Sequence, residues 1–114
     1  MTKTVTLRFA KQNKETWQFI KDGKKKVETR AATVKYRSIK TGDTLVLSCD
    51  GKKFNKKIKK VTHFKTISSL LKVYKSQTIN PLLKTKEEMI VRWYSFPGYE
   101  QKIKKFGIMA FELK

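Results

Sequence analysis

The sequence predicts an α+β domain, in which a small curved β-sheet or β-barrel carries flanking helices. Strand-like alternation of apolar and polar residues, short turn signals between strands, and helix-like apolar spacing elsewhere all support this class. The predicted order β-α-β-β-β-α-α-β lacks the regular alternation of a doubly wound sheet. The 114 residues suffice for one hydrophobic core, so we expect a single domain over residues 1–114.

The first elements are a strand and a short helix. Apolar residues alternate with polar ones over Thr4–Phe9, which is typical of a half-buried strand. Asn13 is placed to cap a helix from Lys14 to about Lys21, and Gly23 tolerates the left-handed conformation that ends a helix. The chain then enters a strand near residue 27.

A β-hairpin is predicted in the middle of the chain. Thr44–Cys49 is a strongly apolar strand, and the pair at residues 50–51, Asp-Gly, is a type I′ turn signal. The return strand is predicted over residues 53–64. Its alternation slips between Ile58 and Val61, which indicates a β-bulge. Residues 31–40 carry no clear pattern.

Helices and one strand are predicted in the last third. A helix begins at Thr66 or Ser68, and the Asn-Pro pair at residues 80–81 interrupts the chain. Thr85 and Glu88 have the spacing of a capping box, which predicts a second helix that ends before Pro97. A short basic turn or helix over residues 99–106 then leads into a closing strand at residues 108–113.

The charge balance is strongly basic and favours a polyanionic partner. Twenty-eight Lys and Arg face nine Asp and Glu, for a net charge of +19. Such an excess on a small domain attracts nucleic acid. Most of the basic residues are Lys. This composition also suits a solvated surface with no ligand, because sites that bind phosphates or nucleobases favour Arg. Clustering of the bases, as at residues 24–26 and 52–60, favours the polyanion interpretation.

Several classes of protein are excluded. No apolar run is long enough to span a membrane, and the first residues lack the apolar stretch of a secretory signal, so we expect a cytoplasmic protein without a membrane partner. Cys49 is the only cysteine and His63 the only histidine, so we expect no disulfide, no metal site and no cofactor. A single core is expected to bury the apolar residues, which leaves no apolar surface for a second copy of the chain, and we therefore expect a monomer.

The densest polar segment is residues 23–30. If Val27 faces the core, strand periodicity places Glu28 and Arg30 together on the opposite face, and Lys25 can lean over that face from the preceding loop. A carboxylate between two cations fixes both partners. The group could be a preorganised anion site, a catalytic site with Lys25 as base, or a surface salt bridge.

This segment resembles the G-x-K-x-x-E-x-R signature of the activating signal cointegrator homology (ASCH) domain, with Gly23, Lys25, Glu28 and Arg30 at the four signature positions. The order of the other segments is similar over essentially the whole chain. The resemblance implies a PUA-like fold, a small curved β-barrel with flanking helices. It also implies a link to RNA and a cleft around the signature.

The same resemblance raises an enzymatic alternative. One bacterial branch of the family is an amidohydrolase that removes the acetyl group from N4-acetylcytidine, and a member has been described as a ribonuclease. The amidohydrolase branch uses the Lys that corresponds to Lys25, but it has a Thr where this sequence has Glu28. Thr29 is one residue along and therefore points to the other face of a strand. If the protein is an enzyme, Lys25 and Glu28 are the catalytic candidates.

The leading hypothesis is a module that binds RNA or another nucleic acid. Lys25 and Arg30 would donate to a phosphate or a base carbonyl, and Glu28 would orient them or accept from an exocyclic amine. Bases could stack on Tyr99, with Tyr36 and Trp93 as weaker candidates. A modified-nucleoside or RNA hydrolase ranks second, and docking of an acidic protein ranks third. The basic residues expected along the approach are Lys24, Lys26 and Arg37.

Overall fold

The structure is a computed structural model that describes residues 2–114. Its centre is a five-stranded sheet in the order β1-β3-β4-β5-β2. The strands are β1 (Thr4–Phe9), β2 (Val27–Ala31), β3 (Thr44–Cys49), β4 (Lys52–Phe64) and β5 (Ile108–Leu113). β1 pairs with β3 in parallel, and the other pairs are antiparallel. The sheet curls into a half-barrel, so the fold is the small α+β domain with a curved sheet that the sequence predicts.

The long strand β4 provides the bend. It pairs with β3 through its first half and with β5 through its second half, and the register shifts between Ile58 and Lys60. A bulge at this point increases the local twist of a strand, so β4 can belong to two differently oriented halves of one sheet. This is the bulge that the slipped alternation before Val61 predicts.

Hydrophobic clusters cover both faces of β5. Ile108 and Ala110 belong to one cluster, whereas Met109 and Phe111 belong to the other. A strand buried on both faces has a nearly continuous apolar sequence. At β5 the sheet therefore separates two hydrophobic clusters.

Helices are distributed unevenly over these cores. The residues that the structure describes form six α-helices: α1 (Lys14–Lys21), α2 (Val34–Arg37), α3 (Ile67–Val73), α4 (Ser76–Ile79), α5 (Lys86–Ser95) and α6 (Tyr99–Phe106). Helices α3 to α6 contribute to the core that contains Ile108, and α1 contributes Trp17 and Ile20 to the other. The Trp17 indole donates to the Leu47 carbonyl oxygen (2.9 Å), which fixes α1 on β3.

Most element predictions are confirmed. The α1 bounds agree with the sequence, Asp50 and Gly51 both have the positive φ of a type I′ turn, and the Thr85–Glu88 capping box is formed. Thr66, rather than Ser68, caps α3 by accepting from the Ser69 amide.

Two short helices and one cap differ from the sequence predictions. Helices α2 and α4 have four residues each and were not predicted, because so short a segment shows little apolar periodicity. Asn13 stands at the N-cap of α1, but its side chain makes no capping hydrogen bond. A 3₁₀ turn at Lys11–Asn13 precedes the helix and already organises its entry.

A membrane-spanning helix is not found in residues 2–114, since none of the described helices is both long and apolar enough to cross a bilayer.

Candidate functional site

Strand β2 forms one edge of the sheet and presents charged side chains on one face. Val27 and Ala31 pack into the core beneath the helices, as alternation requires. The intervening Glu28 and Arg30 point the other way, and the Glu28 Oε2 atom accepts a hydrogen bond from the Arg30 guanidinium at 3.2 Å. The two-residue spacing of a strand therefore pairs these charges.

Lys25 reaches the same carboxylate from the loop before β2. Its ammonium donates to the carbonyl oxygens of Val27 (2.7 Å) and Ile79, and it lies 3.3 Å from Glu28 Oε1. Only 3% of Lys25 and 4% of Glu28 are exposed to solvent. A neutral amine has two N–H donors, whereas an ammonium has three, so three oxygen neighbours favour the charged form. Lys25 is thus fully engaged with the protein itself.

Burial and charge act in opposite directions on this pair. Burial lowers the pKa of the Lys25 ammonium, and the Glu28 charge only partly offsets that effect. Burial by itself would raise the pKa of the Glu28 carboxyl. The charges of Lys25 and Arg30 and the Thr29 amide, which donates to Oε1 at 2.9 Å, hold that pKa below its usual value instead. Glu28 is consequently a carboxylate at neutral pH.

Arg30 has N–H donors that no described residue engages. Among the residues that the structure describes, its guanidinium is hydrogen-bonded to Glu28 alone, although it has five N–H donors. The guanidinium carbon lies 5.0 Å from the centre of the Phe9 ring and 5.8 Å from that of Tyr36. Because Phe9 belongs to β1, this contact joins the two edge strands of the curled sheet.

A cavity of about 290 Å³ lies at this junction between the edges. Its volume is near the lower end of the range for small-ligand pockets. The triad of Lys25, Glu28 and Arg30 lines it together with the aromatic residues Phe9, Trp93, Phe96 and Tyr99. The cavity therefore combines flat apolar walls with a buried charged group.

The aromatic side chains are held in place. The Trp93 indole donates to the Thr29 hydroxyl at 3.0 Å, so Trp93 is a buried wall residue. Tyr99 is half-buried and makes an edge-to-face contact with Phe96, the ring centres being 5.4 Å apart. Burial raises the pKa of the Tyr99 phenol, which keeps its hydroxyl protonated at neutral pH.

Three of the four arginines of the chain line the cavity: Arg8, Arg30 and Arg92. Within residues 2–114, the side chains of Arg8 and Arg92 have no ion pair. Neither residue was predicted from the sequence to belong to the site. The available signal was the rarity of arginine in the chain. Where nearly all basic residues are Lys, an Arg indicates a position at which a planar guanidinium with several donors is useful.

The other candidate residues lie around the cavity or away from it. Tyr99 lines it, and Tyr36 contacts Arg30. Lys24, Lys26 and Arg37 are exposed, and none of them belongs to the described residues that line the cavity. Phe9, Asn80 and Phe96 also line it, although no sequence pattern predicted this role for them.

Metal-binding residues do not gather in the described part of the chain, where no three side chains of His, Cys, Asp or Glu lie together as ligands would. Cys49 is buried, and His63 donates from Nε2 to the Phe106 carbonyl oxygen at 2.8 Å. The cavity itself is lined by charged groups, the Tyr99 side chain and further aromatic rings.

Comparison with known proteins finds solved structures that are similar to this chain over its full length. No family model matches the sequence, and no curated protein matches it. The crystal structure of the hypothetical protein PH0355 superposes with a TM-score of 0.81 at 29% identity, over 100% of this chain and 98% of that one. The solution NMR structure of protein PF0455 from Pyrococcus furiosus has a TM-score of 0.72 at 30% identity, over 100% of this chain and 96% of its own. The chain therefore belongs to the same protein family as PF0455.

Proposed function

We propose that this protein binds single-stranded nucleic acid, with RNA as its natural polymer, and that the cavity receives one nucleotide. The observation that carries the proposal is the composition of the cavity. Three of the four arginines meet four aromatic side chains around a buried carboxylate. Aromatic side chains stack on bases, and arginines donate to phosphates and to base edges.

The floor of the cavity has complementary groups for a base edge. Arg30 has free N–H donors for a carbonyl oxygen or a ring nitrogen. Glu28 uses three of its roughly four acceptor positions on Lys25, Thr29 and Arg30, which leaves one for an exocyclic amine or a ring N–H. Such adjacent donors and acceptors suit the hydrogen-bonding edge of a nucleobase.

Charge and resemblance support the same proposal. A net charge of +19 draws a polyanion toward the protein from a distance, and the cavity then offers a specific contact. The resemblance of residues 23–30 to the ASCH signature agrees with an RNA ligand and with a PUA-like fold. Three of the signature side chains, those of Lys25, Glu28 and Arg30, line the cavity.

Lys25 acts in this proposal as a positioning residue. From the sequence we expect Lys25 to donate to a phosphate or a base, but its ammonium is directed at three protein oxygens. It holds the Glu28 carboxylate and links the start of β2 to the end of α4. The ligand-facing donors are instead those of Arg30, Arg8 and Arg92.

A hydrolase acting on a modified nucleoside is the second candidate, because a cavity of about 290 Å³ that contains charged side chains is close to the size range of small-ligand pockets. Two observations favour binding over this activity. The Nζ atom of Lys25 is directed at three protein oxygens, which leaves it no hydrogen-bonding position for a substrate. The lowered pKa of Glu28 also makes this carboxyl a poor proton donor at neutral pH.

The test compares two arginines of equal charge. Arg92 lines the cavity, whereas Arg37 is exposed and lies over the Phe106 ring at 5.9 Å. Affinity for a labelled single-stranded RNA of about twelve nucleotides, a length within the usual site sizes, is measured by fluorescence anisotropy. We expect Arg92→Gln to weaken binding by about tenfold or more and Arg37→Gln by about threefold or less.

Equal losses for the two variants would show that diffuse charge alone attracts the RNA. The same protein is incubated with N4-acetylcytidine and with the RNA, and both are analysed by mass spectrometry. If the unmodified protein hydrolyses either compound and a folded Glu28→Gln variant does not, the protein is a hydrolase and the binding proposal is wrong.

A further inference from the structure

Within residues 2–114, the sheet has an outer face away from the cavity that neither hydrophobic cluster covers. In β1, β3 and β4, residues such as Leu7, Leu47 and Ile58 point into the core next to α1. The alternate residues of the same strands point to the other side, and none of those paired across β1, β3 and the first half of β4 is buried. We call this outer surface the open sheet face; its three cross-strand rows are described next.

The two outer rows of the open sheet face are basic and hydroxylic. The first row runs across the three strands from Arg8 through Ser48 to Lys53. The second row runs from Thr4 through Thr44 to Lys57. Each row thus ends on a lysine of β4. Hydroxyl groups and lysines are the groups that contact phosphates and sugars without reading sequence.

The middle row has no charge, and it consists of Thr6, Val46 and Asn55. None of the nine residues of the open sheet face is acidic. The charged residues of this face are therefore three cations, Arg8, Lys53 and Lys57, and this surface attracts a polyanion.

Arg8 connects this face to the cavity. It is one end of the first row and also lines the cavity between the edge strands. Neighbouring strands lie about 4.8 Å apart, so Lys53 stands about 10 Å from Arg8 across the sheet, and Lys57 about 13 Å from Lys53 along β4. An RNA strand that leaves the cavity past Arg8 would therefore have Arg8, Lys53 and Lys57 spaced along its phosphate backbone.

We infer that the open sheet face, with Lys53 and Lys57, binds the phosphate backbone of the RNA chain next to the nucleotide held in the cavity. This inference rests on the proposed function and extends it from a single nucleotide to an adjoining length of polymer. The face supplies affinity that grows with RNA length and depends strongly on salt, whereas the cavity supplies the specific contact.

The test uses two double variants that remove the same charge. Lys53→Gln/Lys57→Gln alters the open sheet face, and Lys102→Gln/Lys105→Gln alters exposed lysines of α6. Both are compared with the unmodified protein on a single-stranded RNA of about twelve nucleotides and on the four nucleoside 5′-monophosphates. Thermal melting first confirms that each variant is folded.

We expect Lys53→Gln/Lys57→Gln to weaken binding of the longer RNA by about tenfold at low salt and to reduce the slope of log K against log salt by about 1 to 2. Its affinity for the monophosphates stays within about twofold of the unmodified protein, because a single nucleotide reaches only the cavity. The α6 variant loses clearly less affinity for the longer RNA.

Equal losses from the two double variants, or no loss from the face variant, would overturn the inference while leaving nucleic-acid binding intact. Failure of the proposed function has a different signature. In that case the unmodified protein binds none of the RNA or monophosphate probes, or Arg92→Gln loses no more affinity than Arg37→Gln.

Discussion

Glu28 is the residue on which the local structure of the cavity depends. It lies between Lys25 and Arg30, and it also accepts the backbone N–H of Thr29 at the unpaired edge of β2. Burying a carboxylate is costly unless its charge is paired and its oxygens are hydrogen-bonded. Both conditions are met here, and the same contacts that hold Glu28 also direct the free donors of Arg30 into the cavity.

Substituting Glu28 with Gln tests this arrangement. The variant leaves the buried Lys25 ammonium without a counter-charge, so we expect a loss of about 3 to 5 kcal/mol in the free energy of unfolding. Urea denaturation monitored by Trp fluorescence measures it. Glu87→Gln, at an exposed position in the first turn of α5, is the control, and we expect it to cost less than about 1 kcal/mol.

The acid dependence of stability follows from the same residue. Because the pKa of folded Glu28 is lowered, its contribution is fully present above the unfolded value of about 4.3 and is lost as pH falls through the lower folded value. Unfolding free energies measured below about pH 4.3 are thus expected to fall less steeply in Glu28→Gln than in the unmodified protein. Parallel pH profiles would show that Glu28 is not ionised in the fold.

At the scale of elements, the junction between α6 and β5 requires a glycine. Gly107 has φ +87° and ψ −164°, a region that is essentially restricted to glycine. A Cβ atom there would lie 2.3 Å from the Phe64 carbonyl oxygen at the end of β4. The Gly107 carbonyl also accepts from the Ala32 amide at 2.9 Å, so this one residue joins β2, β4 and β5.

Gly107→Ala is therefore expected to destabilise the fold by more than the roughly 1 to 3 kcal/mol of backbone strain, because the close contact adds to that strain. Gly51→Ala is the matched control, since Gly51 has φ +79° but open space around its Cβ position. Chemical denaturation compares the two. Equal costs would mean that β4 and β5 adjust to the added methyl group without difficulty.

At the scale of the whole molecule, the fold carries a net charge of +19 within dimensions of 31 × 29 × 24 Å. The charges repel one another when the chain is compact, which opposes folding. Raising the ionic strength from about 0.01 M to about 0.15 M shortens the screening length from about 30 Å to about 8 Å. The self-repulsion of the compact state is reduced accordingly.

The melting temperature is consequently expected to rise over this range of salt, by several degrees, in differential scanning fluorimetry. Affinity for RNA is expected to fall over the same range, because salt competes for the lysines and arginines. A melting temperature that falls with salt would contradict this prediction, because it would indicate that attractive ion pairs outweigh the repulsion between the basic residues.

Much of the fold could be predicted because its signals are local. Thr4–Phe9 alternates with a period of two, the Asp-Gly pair at residues 50–51 specifies its turn, and Thr85 with Glu88 specifies a cap. The bulge after Ile58 was visible as a slipped alternation. Helices α2 and α4 were not predicted, since four residues held by neighbouring elements carry little pattern of their own.

For the cavity, the sequence alone determined which charges come together on β2, because strand periodicity pairs Glu28 with Arg30 and the loop before them brings Lys25 near. Tertiary structure alone decided what those charges face. Curling of the sheet brings Phe9 of β1 next to Arg30 of β2, and packing of α5 adds Arg92 and Trp93, more than sixty residues away in sequence. No local pattern encodes such contacts, because they depend on how the strands twist and close in three dimensions.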